Sequence, residues 1–280
     1  MNRLAPYLLS LPTLLFIGLL FLLPTLQLIF NSFIADQGPN AGHFTLAVYR
    51  DFLTDPYNLN LLWRSVKLSA ITTLASLILA FPVALHMRQM SERARGIVSL
   101  LLIAPLLTSV VVRTLAWVIL LGPKGVINNA LASLGISPVA LIYNDFGIII
   151  GLTHVFFGYM VMSLMTSLSR IDDNLLFAAS NLGASRWVIL REVVIPLSRP
   201  GILAGSILVF TMSASTYATP ALLGGSQSRL MATEIYNLAI TYLDWRAAGA
   251  ASLVLFVAVT ILAFGASHLA ERGRGKVIFK

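Results

Sequence analysis

Three ionisable features stand out in a chain that has few of them. Arg113 lies within the apolar run Ile97–Leu121, His154 lies alone in the apolar run Ile148–Leu168, and the acid pair Asp172–Asp173 heads the half-polar stretch IDDNLLFAASNLGASRWVILREVVIPLSRP, Ile171 to Pro200. An arginine at bilayer depth costs roughly 2.5–3.5 kcal/mol even on the insertion scale, so it must face protein, water or a helix end. Two roles stay open to it: lining a cavity or gate, or tying down backbone carbonyls. His154 has no His or Glu at helical metal-binding spacing, which favours a hydrogen-bonded structural histidine over a ligand or proton relay. Covalent chemistry lacks its parts. There is no His-Glu-x-x-His, no nucleophile elbow and no pair of intramembrane carboxylates, so no catalytic, cofactor-binding or metal-binding residue is expected. An ATP-binding loop needs Gly, four residues, Gly-Lys and then Ser or Thr. Gly275-Lys276 is followed by Val277 and lacks the earlier glycine. Energy must therefore come from another chain.

Composition says what positions these residues. Of 280 residues, 58% are hydrophobic and 11% charged, against about 25% charged in soluble domains. Such a chain belongs in lipid. The net charge of +8 is spread over small loop clusters and forms no basic face with interleaved aromatics, which excludes nucleic acid as a partner. With no cysteine, disulfides and thiolate metal sites are excluded too. Six apolar runs are long enough to span a bilayer: Leu8–Phe33, Leu68–Met87, Ile97–Leu121, Ile148–Leu168, Ile202–Leu223 and Ala247–Leu269. The first exceeds a signal-peptide core of about 7–15 residues and no small-x-small site follows it, so it reads as an uncleaved span. The expected fold class is all-α, a polytopic membrane protein with six transmembrane helices.

Between the first two spans, Ile34–Arg64 reads as a polar loop punctuated by Gly38-Pro39 and Asp55-Pro56. Gly122–Phe146 reads as a second outer loop with a short helix over Val126–Leu134, and Gly224–Arg246 as a third. Orientation follows from the basic residues. With both termini cytoplasmic, the inner segments carry twelve: Arg3, Arg88, Arg93, Arg95, Arg170, Arg186, Arg191, Arg199, Arg272, Arg274, Lys276 and Lys280. The outer ones carry six: Arg50, Arg64, Lys67, Lys124, Arg229 and Arg246. That is the positive-inside bias.

The Ile171–Pro200 stretch then falls on the cytoplasmic side. Leu175, Leu176, Ala179, Leu182, Trp187, Leu190 and Val194 recur at helical spacing, which predicts one amphipathic helix over about 172–191. A lever of about 16 residues would be roughly 24 Å long. Asp172 and Asp173 suit its first turn, where either can cap it. Gly183 costs about 1 kcal/mol inside a helix and predicts a bend or close approach. Pro196 and Pro200 should end the helix before the fifth span. That span's second half, FTMSASTYATPALLGGS, is rich in small and hydroxylic residues, which either pack closely or line a polar path. Ser213, Ser215, Thr216 and Tyr217, with Arg113 and Trp117, are the candidate pathway residues.

The run Phe177-Ala178-Ala179, three residues, Gly183, nine residues, Val193, one residue, Ile195-Pro196 resembles the "EAA" loop of permeases in binding-protein-dependent ABC importers. Phe44–Ser69 and Pro105–Trp117 are similar to the spermidine/putrescine branch of that family. The resemblance implies a type I importer permease fold in a bacterial inner membrane. It implies a transport domain over 64–270, an added span and first periplasmic loop over 1–63, and a tail over 271–280. It also implies partners: a second permease in a heterodimer, two ATPase subunits that bind the ATP and Mg, and a periplasmic solute-binding protein. Asp172, Asp173, Phe177, Ala178, Ala179, Gly183, Arg186 and Pro196 would form the coupling element that an ATPase grips. Phe177 departs from the family's acidic first position, so the charged contact falls to Asp172, Asp173 or an apolar plug. The solute implied is spermidine or putrescine, with opines, aminophosphonates and iron complexes in related branches. A secondary transporter or channel would instead need broken helices with buried carboxylates and repeat symmetry; neither is read in the sequence.

Overall fold

A computed structural model describes residues 5–34, 42–225 and 228–272. Arg3, the Gly38-Pro39 punctuation and the tail from Arg274 onward lie outside them. Six helical segments among the described residues are long and apolar enough to cross a membrane, as the hydropathy requires. Their boundaries and continuity differ from the expectation in instructive ways.

The first span is α1 (Ala5–Ile17) and α2 (Leu23–Ser32), joined by a wide π turn at Gly18–Leu22. The wide turn falls just before Pro24. A proline ring collides with the carbonyl four residues back, and shifting the register to an i−5 bond, Leu23 N–H to Gly18 O, relieves that collision without ending the helix. After α3 (Ala47–Thr54), the second span α4 runs over Pro56–Arg88, 33 residues. It begins well before Leu68 because Asp55-Pro56 is a helix start rather than a loop. Pro56 needs no N–H partner at the first position, and Asp55 Oδ1 accepts the Tyr57 N–H at 2.9 Å.

The third span is not one helix. α5 (Glu92–Ile103) passes into a 3-10 turn at Ala104–Leu107, Thr108 is extended, Ser109 is non-helical, and α6 (Val110–Leu121) begins afresh. Pro105 withholds a donor at this point. The short helix α7 (Val126–Ser133) follows, close to its expected limits, and α8 (Asp145–Leu168) forms the fourth span, capped by Asn144 Oδ1 on the Gly147 N–H at 3.0 Å.

Beyond α8 come α9 (Asp173–Asn181) and α10 (Arg186–Ile189), then a second wide turn, Leu190–Val194, leading into α11 (Ile195–Ser215). Pro196 and Pro200 therefore lie inside a helix instead of ending one. The Ile195 N–H bonds Leu190 O across the wide turn, the same register shift that precedes Pro24. The fifth span thus runs from Arg186 to Ser215 and stops at Thr216, short of Leu223; α12 (Ala218–Gly224) is a separate short helix. The third outer segment is largely helical, with α13 (Met231–Tyr236) and a wide turn at Asn237–Thr241, before α14 (Trp245–Arg272) completes the spans.

Internal contacts divide the chain into two units, Met1–Asn60 with Glu234–Val257 and Leu61–Thr233 with Ala258–Lys280. In the first, Phe33 stacks on Phe44 and Tyr49 with ring centroids 5.4 and 4.7 Å apart. The second is built around α8, whose Ile148, Met160, Val161, Leu164 and Leu168 are fully buried. Lipid gives helices no hydrophobic reason to associate, so close approach and hydrogen bonds must do it. α8 and α11 use both. A Cβ on Gly201 would sit 2.6 Å from Ser167 Oγ, one on Gly205 would sit 2.7 Å from Met160 Sδ, and Ser163 Oγ donates to Gly201 O at 3.1 Å.

Candidate functional site

The half-polar stretch folds as an elbow of two short helices rather than one lever. Asp172 caps α9, its Oδ1 accepting the Asn174 N–H at 2.9 Å. At the other end Ala184 N–H bonds Ala179 O at 3.1 Å and Gly183 N–H bonds Ser180 O at 2.9 Å. This is a Schellman ending, which needs a left-handed residue just past the helix. Gly183 supplies it with φ +83°. A Cβ there would meet nothing within 4 Å, so the glycine serves the turn and not a close contact. Ser185 then caps α10.

Because the turn re-aims the second half, the expected single stripe divides between two faces. Leu176, Ala179 and Leu190 are half-buried and Val194 buried, whereas Leu175 and Trp187 are exposed. Phe177 is 65% and Leu182 89% exposed. Ala178 and Arg186 are exposed as well, and Pro196, half-buried, lies at the start of α11. An apolar set thus projects from a segment whose other side chains include Asp172, Asp173, Asn174, Asn181 and Arg186.

A further arginine, Arg88, holds this elbow and a second, Arg95, holds the end of α4; the sequence reading took both only as charge. Arg88, the last residue of α4, donates to Leu168 O at 3.0 Å, Ile171 O at 2.8 Å and Asp173 Oδ1 at 2.5 Å. Arg95 donates to the carbonyls of Met87, Arg88 and Met90. For Arg95 the signal available was position, since a cation just past a helix end meets carbonyls with no intrahelical partner; for Arg88, whose acceptors are far along the chain, there was none.

The second candidate lies where the third and fifth spans are interrupted. Arg113 is not mid-helix but in the first turn of α6, nine-tenths buried, with its Nη1 donating to Pro105 O across the break. Thr114 and Thr219 hydroxyls meet at 3.2 Å and join α6 to α12. Between these segments and α8 is a cavity of about 340 Å³ lined by Leu106, Val110, Arg113, Val155, Phe156, Tyr159, Met212, Ser215, Thr216 and Thr219. Of the six residues expected along a pathway, Arg113, Ser215 and Thr216 share this cavity. Trp117 instead donates Nε1–H to His154 Nδ1 at 3.3 Å, with the rings edge to face, so His154 is a hydrogen-bonded histidine as its isolation suggested. Ser213 is fully buried and Tyr217 precedes α12, and neither lines the cavity. The aromatic wall, Phe156 and Tyr159, was missed because on α8 it is indistinguishable from core. Arg113 both lines the cavity and donates to a backbone carbonyl. The breaks also supply the interrupted helices that the sequence did not reveal, with no carboxylate among the lining residues.

Six spans, a polar elbow and a cavity between broken helices define a helical membrane subunit of the importer-permease type. The chain belongs to the family of binding-protein-dependent transport system inner membrane components, which it matches over residues 69–274. It is 32% identical over 244 residues to the spermidine/putrescine transport system permease protein PotB of Escherichia coli strain K12, covering 86% of this chain and 88% of that one. Among solved structures, a bacterial ABC transporter that imports the acidic polysaccharide alginate superposes with a TM-score of 0.75 at 19% identity, covering 99% of this chain and 96% of that one. The same transporter in complex with its pentasaccharide-bound periplasmic protein gives 0.74 at 18% identity, covering 96% and 94%. The chain is thus a multi-pass inner-membrane permease subunit of an ABC importer.

Proposed function

We propose that this subunit forms half of the path by which a polyamine, spermidine or putrescine, enters the cell, driven by ATP hydrolysed on separate subunits. Two ATPases bind the ATP and Mg, a second permease completes the membrane pair, and a periplasmic binding protein delivers the solute. The subunit itself catalyses nothing. Both termini are cytoplasmic, as the basic residues argue, with residues 64–270 the transport domain, 1–63 an added span and loop, and 271–280 a tail. Asp172, Asp173, Phe177, Ala178, Ala179, Gly183, Arg186 and Pro196 make up the coupling elbow, and Arg113, Trp117, Ser213, Ser215, Thr216 and Tyr217 the path and its supports.

The observation that carries the coupling reading is the exposed apolar set at the elbow, with Phe177 65% and Leu182 89% exposed on a segment too polar for lipid. Apolar side chains in such a place want a protein partner. Phe177 then acts as a plug where relatives use an acid. The polyamine assignment rests on the E. coli relative at 32% identity. One observation favours a second solute class: Arg113 with no carboxylate among the cavity residues suits an anionic group, as in an aminophosphonate, better than a polycation. Uptake of labelled spermidine into proteoliposomes holding the assembled transporter separates the two. The polyamine reading predicts saturable, ATP-dependent uptake unaffected by excess 2-aminoethylphosphonate; no spermidine uptake alongside ATP-dependent uptake of labelled phosphonate overturns it.

A further inference from the structure

α4 and α8 are held together at both ends by arginines on α4. At the elbow end, Arg88 reaches the last residue of α8 through Leu168 O, the following turn through Ile171 O and the first residue of α9 through Asp173. At the far end, Arg64 donates to Asp145, the first residue of α8, and to Ser228 Oγ at 2.8 Å. The spacing matches. Arg64 and Arg88 are 24 residues apart and α8 is 24 residues long, each about 36 Å of helix at 1.5 Å per residue. Between the clamps, Ala80, Ala84 and Met87 of α4 share one buried cluster with Met160, Leu164 and Leu168 of α8.

The elbow is restrained unequally. Its α8 side is gripped by a guanidinium whose side chain is only 14% exposed, bonded to carbonyls of residues that are themselves buried. Its α11 side is seated by apolar packing of Ile189, Leu190 and buried Val194, and between the two sides lies a glycine turn with nothing within 4 Å of where a side chain would start. Arg88 is the polar tie between α4 and the elbow, through Ile171 O and Asp173, beside the apolar packing of Leu176, Ile189 and Leu190 on the cluster that holds Ala84 and Met87.

We propose that Arg88 is a positioning residue that makes α4, α8 and α9 one rigid lever, and that the elbow bends at the Gly183 turn when the ATPases move it. This rests on the coupling reading of the elbow. The carbonyl bonds matter more than the ion pair, because Asp173 is 71% exposed and exposed pairs contribute little, whereas charged donors on buried acceptors contribute more. Lysine cannot replace Arg88, since one ammonium lacks the planar fork that spans the three acceptors.

The chain has no native cysteine, so spin labels can be placed at will on the assembled transporter in nanodiscs. One pair, Leu79→Cys on α4 and Ser180→Cys on α9, spans the lever; a second, Ser180→Cys and Leu197→Cys on α11, spans the turn. The expected result is a lever distance unchanged between the nucleotide-free and vanadate-trapped states while the turn distance shifts. Arg88→Ala and Arg88→Lys should both make the lever distribution about twice as broad even without nucleotide, as local order is lost, and Asp173→Asn should broaden it much less. A lever distance that shifts with nucleotide in the wild type, or an Arg88→Ala distribution as narrow as wild type, overturns the proposal. Co-purification of the ATPase subunits is scored separately. If they fail to bind, the coupling reading falls while the nucleotide-free widths still decide the clamp.

Discussion

α4 and α8 are unbroken helices, while the third and fifth spans stop and restart at Ala104–Ser109 and Thr216–Tyr217. The contrast separates two uses of a membrane helix. An unbroken span keeps nearly all of its backbone bonds inside itself, even with Pro82 in α4, and its side chains are free to pack or strap. A broken span gives up those bonds, and irregular backbone at depth is tolerated only against protein or a cavity. Here the gap in the third span is closed by Arg113 on Pro105 O, and the two restarted helices are tied by Thr114 and Thr219. The arginine clamps sit on the continuous pair, close backbone approaches at Gly158, Gly201 and Gly205 join α8 to both interrupted spans, and the polar cavity lies on the interrupted pair.

The contrast can be attacked from either side. The largest effect is expected at Gly158 of α8, where a Cβ would lie 2.6 Å from the backbone oxygen of Leu102. Gly158→Val should cost about 3 kcal/mol, the upper range for overpacking, read as a lower Tm of the purified complex. Arg113→Ala should cost about 1.5–3 kcal/mol, the range for a hydrogen bond to a charged group, and should also alter transport or basal ATPase rate. Wild-type values in all three measurements would remove Arg113 from both of its roles. At the elbow, Gly183→Ala should cost about 1–2 kcal/mol because of its left-handed backbone, and raise ATP hydrolysed per solute imported. Since the space around Gly183 is open, alanine should uncouple nearly as well as a bulky residue; a strong dependence on side-chain size would instead argue for a tight contact. The smallest change is expected for Thr219→Val, about 0.5–1.5 kcal/mol for one hydroxyl pair, seen as a modest Tm shift.

Hydropathy made the number of spans legible, because about 20 apolar residues in a row have few other uses. The breaks were not legible. Pro82, Pro105, Pro196 and Pro200 look alike in sequence, yet a helix passes through Pro82 and Pro200, a wide turn absorbs Pro196, and only Pro105 stands at an interruption. The surroundings decide which outcome occurs, and at Pro105, where the chain leaves the helix, the proline's own carbonyl is taken by Arg113 and the Thr108 hydroxyl. Capping by Asp172 and the bend at Gly183 were readable because they are local. Arg88 was not, since its acceptors lie 80 residues and more along the chain. The apolar stripe of the elbow was misread past Gly183 for a related reason: helical periodicity assumes the helix continues.

The gripping of the elbow by an ATPase is tested most directly by site-specific crosslinking. With Phe177→Cys in the otherwise cysteine-free permease, a short thiol-to-amine crosslinker added to the assembled transporter should join the permease to an ATPase subunit in high yield. Cysteine at Lys67, read as lying on the opposite side of the membrane, should give no such product. Phe177→Cys that stays freely reactive to a bulky maleimide in the intact complex, and never joins an ATPase, would contradict the account.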